Sequence, residues 1–205
     1  MRRGQAIVDT TTFKRGVIPH YRGYPSCCLV SSVHPLFGPG AGKEKLGKLV
    51  VLVVPVPGRE QDSVVIEDFF KGLGFKTRII DCDAHDEAVA SMIDLSYVLG
   101  LAAALYVEEL GLEEWEELSG TTFRLLLVHA RSILESSDGF ISYIVTDDLV
   151  RHKTALYMEK LRLIEALGEA PPNVLAKLRN RLGGATRIRR AYEAMYRALE
   201  HEEGL

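Results

Sequence analysis

The stretch Leu49-Val50-Val51-Leu52-Val53-Val54 limits the fold more than any other part of this chain. It is apolar throughout and mostly β-branched, the pattern of a strand covered on both faces, and Pro55 and Pro57 stop it. Asp62 or Ser63 stands where a helix cap is needed, for a helix through Lys71 with Val65, Ile66, Phe69 and Phe70 on one face. Gly72 and Gly74 close that helix, and Phe75 to Ile80 reads as the returning strand. Residues 49–80 are therefore a strand–helix–strand unit. Upstream, Gln5 to Val8 reads as a short strand ending at Asp9, and Cys28 to Val33 as another. Phe13 to Ile18 reads as a helical turn stopped by Pro19, and Gly38 to Gly47 as loop. Residues 1–80 are thus expected to form part of an open, parallel α/β sheet.

The pattern changes at Asp81. From His85 to Leu110 apolar residues recur near helical spacing (Met92, Leu95, Leu99, Ala102, Ala103, Tyr106), with few charges, so burial on most sides is expected. Thr121 or Thr122 can cap a helix to about Ser136, and Asp147 or Asp148 another to Leu167. Pro171 opens a third, which Gly183-Gly184 separates from a last amphipathic segment through Leu199. Glu113, Glu114, Glu116 and Glu117 around Trp115 read as a solvated acidic turn. The expected organisation is an α/β domain over 1–80 and an all-α domain over 81–205.

A formal charge of −3 on 205 residues argues against a nucleic-acid surface. No apolar segment follows Met1-Arg2-Arg3 as a secretory signal requires, and the longest apolar runs read as too short to span a bilayer. The three cysteines form no disulfide framework, and His20, His129, His152 and His201 have no metal-site spacing. A cytoplasmic protein without metal is the expectation.

His34 is the leading candidate for chemistry. It sits at the carboxyl end of the second strand, the edge at which open α/β sheets bind ligands, and Pro35, Gly38 and Pro39 fix the turn beyond it. From the residues alone, a histidine that only satisfies a loop is an equal reading. Two phosphate-binding patterns fail nearby. Gly40-Ala41-Gly42 begins a G-x-G-x-x-G, but Lys45 occupies the third glycine's place. A P-loop would put Phe37 at its first glycine and Glu44 at its Ser/Thr.

The segment His34-Pro35-Leu36-Phe37-Gly38-Pro39 resembles the H-P-M-F-G-P motif of prephenate dehydrogenases, especially those fused to chorismate mutase. Asp9-Thr10-Thr11-Thr12-Phe13-Lys14 is similar to that family's D-x-x-S-x-K, and His85-Asp86 to its H-D. Leu118-Ser119-Gly120-Thr121-Thr122-Phe123-Arg124-Leu125 resembles its L-S-S-P-x-Y-R-L. The resemblance implies a Rossmann-like α/β remnant followed by a helical dimerisation domain. It also implies oxidative decarboxylation of prephenate to 4-hydroxyphenylpyruvate with NAD or NADP, in tyrosine biosynthesis.

By the same resemblance His34 is the catalytic base and Thr12 a hydroxyl near nicotinamide and substrate. Lys14 and Arg124 are substrate ligands, Pro35 borders the cofactor, and a homodimer forms through the helices. A planar guanidinium suits a carboxylate, although Arg124 could equally pair with a glutamate of 113–117, and a lone Lys14 more often faces solvent. His85 reads as structural at the domain junction, with Asp86 capping the long helix or holding the imidazole. Where the family carries a further histidine on that helix, this chain has Asp94-Leu95-Ser96-Tyr97, leaving Tyr97 as a possible substrate hydrogen bond. The cofactor fingerprint is not found in this chain. Three readings stay open: a prephenate dehydrogenase whose cofactor-binding half is missing here, a non-catalytic dimeric ligand-sensing relative, and an enzyme of altered substrate.

Overall fold

The computed structural model describes residues 4–38, 40–111, 116–168 and 171–199, without the side chains of 43–45 and 116. Strands β1 (Ala6–Asp9), β2 (Leu29–Pro35), β3 (Val50–Val54) and β4 (Lys76–Ile79) form one sheet in sequence order. The sheet is mixed, which corrects the parallel expectation: β1 runs with β2 and β3 with β4, but β2 and β3 are antiparallel. The reason is the connection. A parallel return needs a crossover, usually a helix, and between β2 and β3 the chain provides only a loop and a 3-10 turn, Lys43–Lys48. The other two connections carry helices, α1 (Ile18–Tyr21) and α2 (Glu60–Gly72).

Pro19 lies in the first turn of α1 and so begins it rather than ending its predecessor, since a missing N–H costs nothing there. Helix α2 starts at Glu60, ahead of both expected caps. Asp62 accepts instead from the backbone N–H of Val30 at 3.0 Å, and Ser63 meets Ser31 hydroxyl to hydroxyl at 2.9 Å. These polar contacts turn the helix so that Ile66 and Phe70 face the sheet while Val65 and Phe69 are exposed, so the four do not share the one face expected of them. Val33, Val51, Val53 and Ile66 form the core, with Phe37, Phe70 and Phe75 packed against it. Gly74 at φ +92° ends α2 in a Schellman pair, its N–H to Lys71 and that of Phe75 to Phe70. The ring of Phe75 then stacks on Phe37 at 5.5 Å, tying the loop after β2 to the end of α2.

Helix α3 (Cys82–Val89) follows, capped by Asp81, which accepts from Ala84 N–H. A π-helical turn, Ala90–Asp94, links it to α4 (Leu95–Leu110), and Gly111 at φ +68° ends the run. Two compact units divide inside this turn, residues 1–91 and 92–205. In the second unit α4 packs on α5 (Thr121–Ile133), α6 (Asp138–Thr146) and α7 (Asp148–Leu167). Helices α8 (Pro172–Arg181) and α9 (Gly184–Leu199) form a hairpin whose second arm lies on α5. Asp147 caps α7 as the sequence indicates. Helix α6 has no counterpart in the sequence reading, although Ser137, its cap, and the apolar spacing of Phe140, Ile141, Ile144 and Val145 signal it. The acidic turn around Trp115 falls largely outside the described residues.

The long helix is less covered than expected, with Met92 74% exposed and Leu105 and Tyr106 also open. It corrects a second expectation: among the described residues Cys82–Leu110, 29 residues with an 18-residue stretch of mean hydropathy 1.8, is long and apolar enough to cross a membrane by length and composition. At Gly100 the long helix leaves no room for a side chain, as an added Cβ would lie 2.4 Å from Ile133 Cγ1. Overpacking of this kind costs roughly 1–3 kcal/mol. Gly100→Ala should therefore lower the urea midpoint of the helical unit, and Ile133→Ala added to it should cost less than Ile133→Ala alone.

Candidate active site

The chemistry-bearing residues of the first unit gather where β1 and β2 end. Because these strands are parallel, Asp9 and His34 share one edge of the sheet, Asp9 opposite Ser32 and His34 two residues on, opposite Leu52 of β3. Asp9 is buried and accepts from Ser32 Oγ at 2.6 Å and from the N–H and hydroxyl of Thr11 at 3.1 and 2.9 Å. Burial alone pushes its carboxyl up, but those hydrogen bonds and the Lys14 ammonium outweigh it and hold Asp9 below the ordinary carboxylate value.

Lys14 corrects the expectation of a solvated lysine. Its side chain is 0% exposed. The Nζ donates to Asp9 Oδ2 at 3.3 Å, to Val33 O at 2.8 Å and to Thr11 O. An ammonium has three donors, and all three are engaged inside the protein. Burial pulls its pKa below that of an ordinary lysine, against the opposing charge of Asp9. Lys14 is thus a buried tie beneath the strand that carries His34, beyond the last β1–β2 pair. Thr12, by contrast, is half-buried and has no hydrogen bond with any described residue. Pro35 closes β2 opposite Val51.

His34 is half-buried, and its Nδ1 lies 3.0 Å from Nε2 of the fully buried His85. His85 Nδ1 lies 2.7 Å from Asp86 Oδ1. Asp86 also accepts the backbone N–H of Lys14 and of Arg15, so α3 grips the turn after β1. Burial raises the Asp86 carboxyl, yet His85 and these two amides win and keep it below its ordinary value. Burial, the neighbouring His85 and the Lys14 charge lower His34 to a pKa of about 4, against the pull of Asp86. At neutral pH His34 is therefore a neutral imidazole able to accept a proton.

Tyr97 and Arg124 belong to the second unit. Tyr97 packs edge-on to Phe140 at 5.4 Å, and its oxygen accepts from Ser136 Oγ at 3.4 Å. Arg124, in the first turn of α5, is exposed and makes no ion pair with a described residue. No group of three metal-ligating side chains occurs among the described residues. Sequence reasoning passed over Asp9 and Ser32, and it assigned His85 to structure; the adjacency of His85 and Asp86 was the available signal.

No protein-family model and no curated protein sequence matches this chain. Solved structures do. A structure described as a putative prephenate dehydrogenase from Corynebacterium glutamicum superposes with a TM-score of 0.60 at 16% identity, over 91% of this chain and 60% of that one. Arogenate dehydrogenase from Synechocystis gives 0.54 at 14%, over 96% and 66%. Prephenate dehydrogenase from Aquifex aeolicus gives 0.58 at 13%, over 91% and 67%. The chain has the prephenate and arogenate dehydrogenase fold.

It spans about 60–67% of the length of these dehydrogenases. The residues present do not fit the pyrophosphate of the nicotinamide dinucleotide that the resemblance implies. Such a group needs a strand, a glycine turn and a helix N-terminus offering free amides. After β2 comes a 3-10 turn, not an α-helix. After β3 the turn holds Pro55 and Pro57, which have no N–H, and the Gly58 amide donates to the Glu60 carboxylate at 2.8 Å. Glu60 and Asp62 make that helix start acidic. Helix α1 is a single turn.

Proposed function

We propose that this chain is the substrate-side portion of a prephenate dehydrogenase, with His34 as the base that removes the ring hydroxyl's proton during oxidative decarboxylation. The observation that carries this reading is a neutral imidazole at a strand's carboxyl end, backed by His85 and Asp86, within a fold matched by dehydrogenases of prephenate and arogenate. Proton abstraction by a placed imidazole contributes on the order of 10²–10⁴ in rate. Arg124 is proposed to hold a substrate carboxylate, its guanidinium being exposed and unengaged among the described residues, with Thr12 and Tyr97 as hydroxyl ligands. Lys14 is reassigned from ligand to scaffold. NAD or NADP is the proposed oxidant, with its pyrophosphate held by residues outside these 205.

The proposed assembly is a cytoplasmic homodimer through the helical unit. Supporting it are the open apolar side of the long helix and an outward groove on α5 lined by Phe123, Leu125, Leu126 and Val128. The second reading is a ligand-sensing relative, favoured by the missing pyrophosphate turn.

Calorimetry on the full chain tests both. Prephenate or arogenate should bind, NAD⁺ and NADP⁺ should not, and Arg124→Ala should weaken prephenate by roughly 10–100-fold, the weight of charge-assisted hydrogen bonds. Binding of tyrosine alone would favour the sensor. Silence towards prephenate, arogenate, 4-hydroxyphenylpyruvate and tyrosine would remove both.

A further inference from the structure

The base needs its lone pair on the outer nitrogen, and an imidazole on its own does not guarantee that. We infer that Asp86 and His85 are positioning residues that hold His34 as the Nδ1–H tautomer, leaving Nε2 free to accept the substrate's proton. The inference rests on the reading of His34 as the base. An ionised carboxylate only accepts hydrogen bonds, and Asp86 is gripped by the N–H groups of Lys14 and Arg15 besides His85. Across the 2.7 Å contact, His85 Nδ1 must therefore be the donor. In the neutral pair, with one proton on each ring, His85 Nε2 is then a bare acceptor. Across the 3.0 Å contact His34 Nδ1 must donate to it. The second proton has no other place, so His34 Nε2 carries none.

The same chain supports the product of proton transfer. Once Nε2 is protonated, the His34 imidazolium keeps its bond to His85, and the Asp86 charge stands one ring behind it. The titratable groups bearing on His34 are His85, Lys14 and Asp86. His85 is 0% exposed, so its ring is held by packing as well as by its two hydrogen bonds. This ordering resembles the tautomer control that an aspartate exerts in serine protease triads, with a second histidine interposed.

Asp86→Asn offers a decisive reversal. Asp86 Oδ2 takes the amides of Lys14 and Arg15, at 3.1 and 3.0 Å, while Oδ1 faces His85 and shares the Lys14 amide at 2.9 Å. An asparagine serves both amides only with its oxygen in the Oδ2 place, since the opposite turn sets its NH₂ against the Arg15 N–H, and so its NH₂ points to His85 Nδ1. His85 must then accept at Nδ1 and donate from Nε2, and His34 in turn must accept at Nδ1 and protonate Nε2. The base would be capped.

The experiment is ¹⁵N–¹H correlation spectroscopy of the full chain with ¹⁵N-labelled histidine at pH 8, the His34 signals being assigned by their loss in His34→Asn. The expected wild-type spectrum has protonated Nδ1 and unprotonated Nε2 on both rings, by roughly tenfold or more. Asp86→Asn should exchange the two nitrogens on both rings. Should that variant not fold, His85→Leu should release His34 towards the Nε2–H form. A protonated Nε2 on His34 in the wild type would overturn the inference, as would an unchanged tautomer in the folded variant. These spectra need no substrate. A failure of prephenate to bind would therefore count against the proposed function alone.

Discussion

Lys14→Met is expected to destabilise the sheet unit by about 3 kcal/mol, the low end of the cost of removing one partner from a buried ion pair. The substitution preserves length and removes an ammonium that contacts Asp9, Val33 and Thr11 at once. Asp9 would keep Ser32 and Thr11 as donors, which moderates the effect. The carbonyl of Val33, next to His34, would lose its only side-chain donor among the described residues. Urea unfolding, with hydrogen exchange at the amides of Val33 and His34, measures both consequences. A loss under about 1 kcal/mol would mean that water replaces the ammonium easily, and Lys14 would then be no tie.

His34→Asn should separate binding from chemistry. Prephenate affinity of the chain should stay within about threefold, because a base acts on the transition state more than on the bound ground state. Combined with a dinucleotide-binding segment, the variant should turn prephenate over 10²–10⁴-fold more slowly than wild type, on the order expected for a lost general base. It should also alter acid stability. His34 titrates near 4 in the fold and near 6.5 when unfolded. Between those values the unfolded chain binds more protons, so wild-type stability falls as pH drops from about 6.5 to 4. Asparagine removes that slope. The remaining acid loss, from Asp9 and Asp86, sets in as pH falls through the ordinary carboxylate range and continues below it. Melting temperature against pH distinguishes the two, and an unchanged slope would show that His34 titrates normally.

The strand 50–54 and the turn after His34 were legible because both rest on local chemistry, a β-branched run and prolines at fixed places. The sense of the sheet was not, because it depends on the connection from 36 to 49 failing to form a helix. Lys14 looked like a surface residue, since its partners are a carboxylate five positions away and a carbonyl nineteen away. Asp86 was read as either a cap or a holder of the imidazole; Asp81 takes the cap, and Asp86 reaches back 72 residues to the turn after β1. Nothing periodic marks a contact of that range. The lysine, both aspartates and the histidine pair define the site through distance in space, which spacing along the chain does not record.

The ring pile Phe37–Phe75–Phe70 makes the placement of His34 depend on how a helix ends far along the chain. Lengthening α2 by one residue would rotate Phe75 away from Phe37 and loosen the exit of β2, although neither change touches the imidazole. Insertions near Gly47, whose surroundings are open, have no such leverage. Homologous chains should accordingly vary in length between β2 and β3 and keep a constant count from α2 to β4.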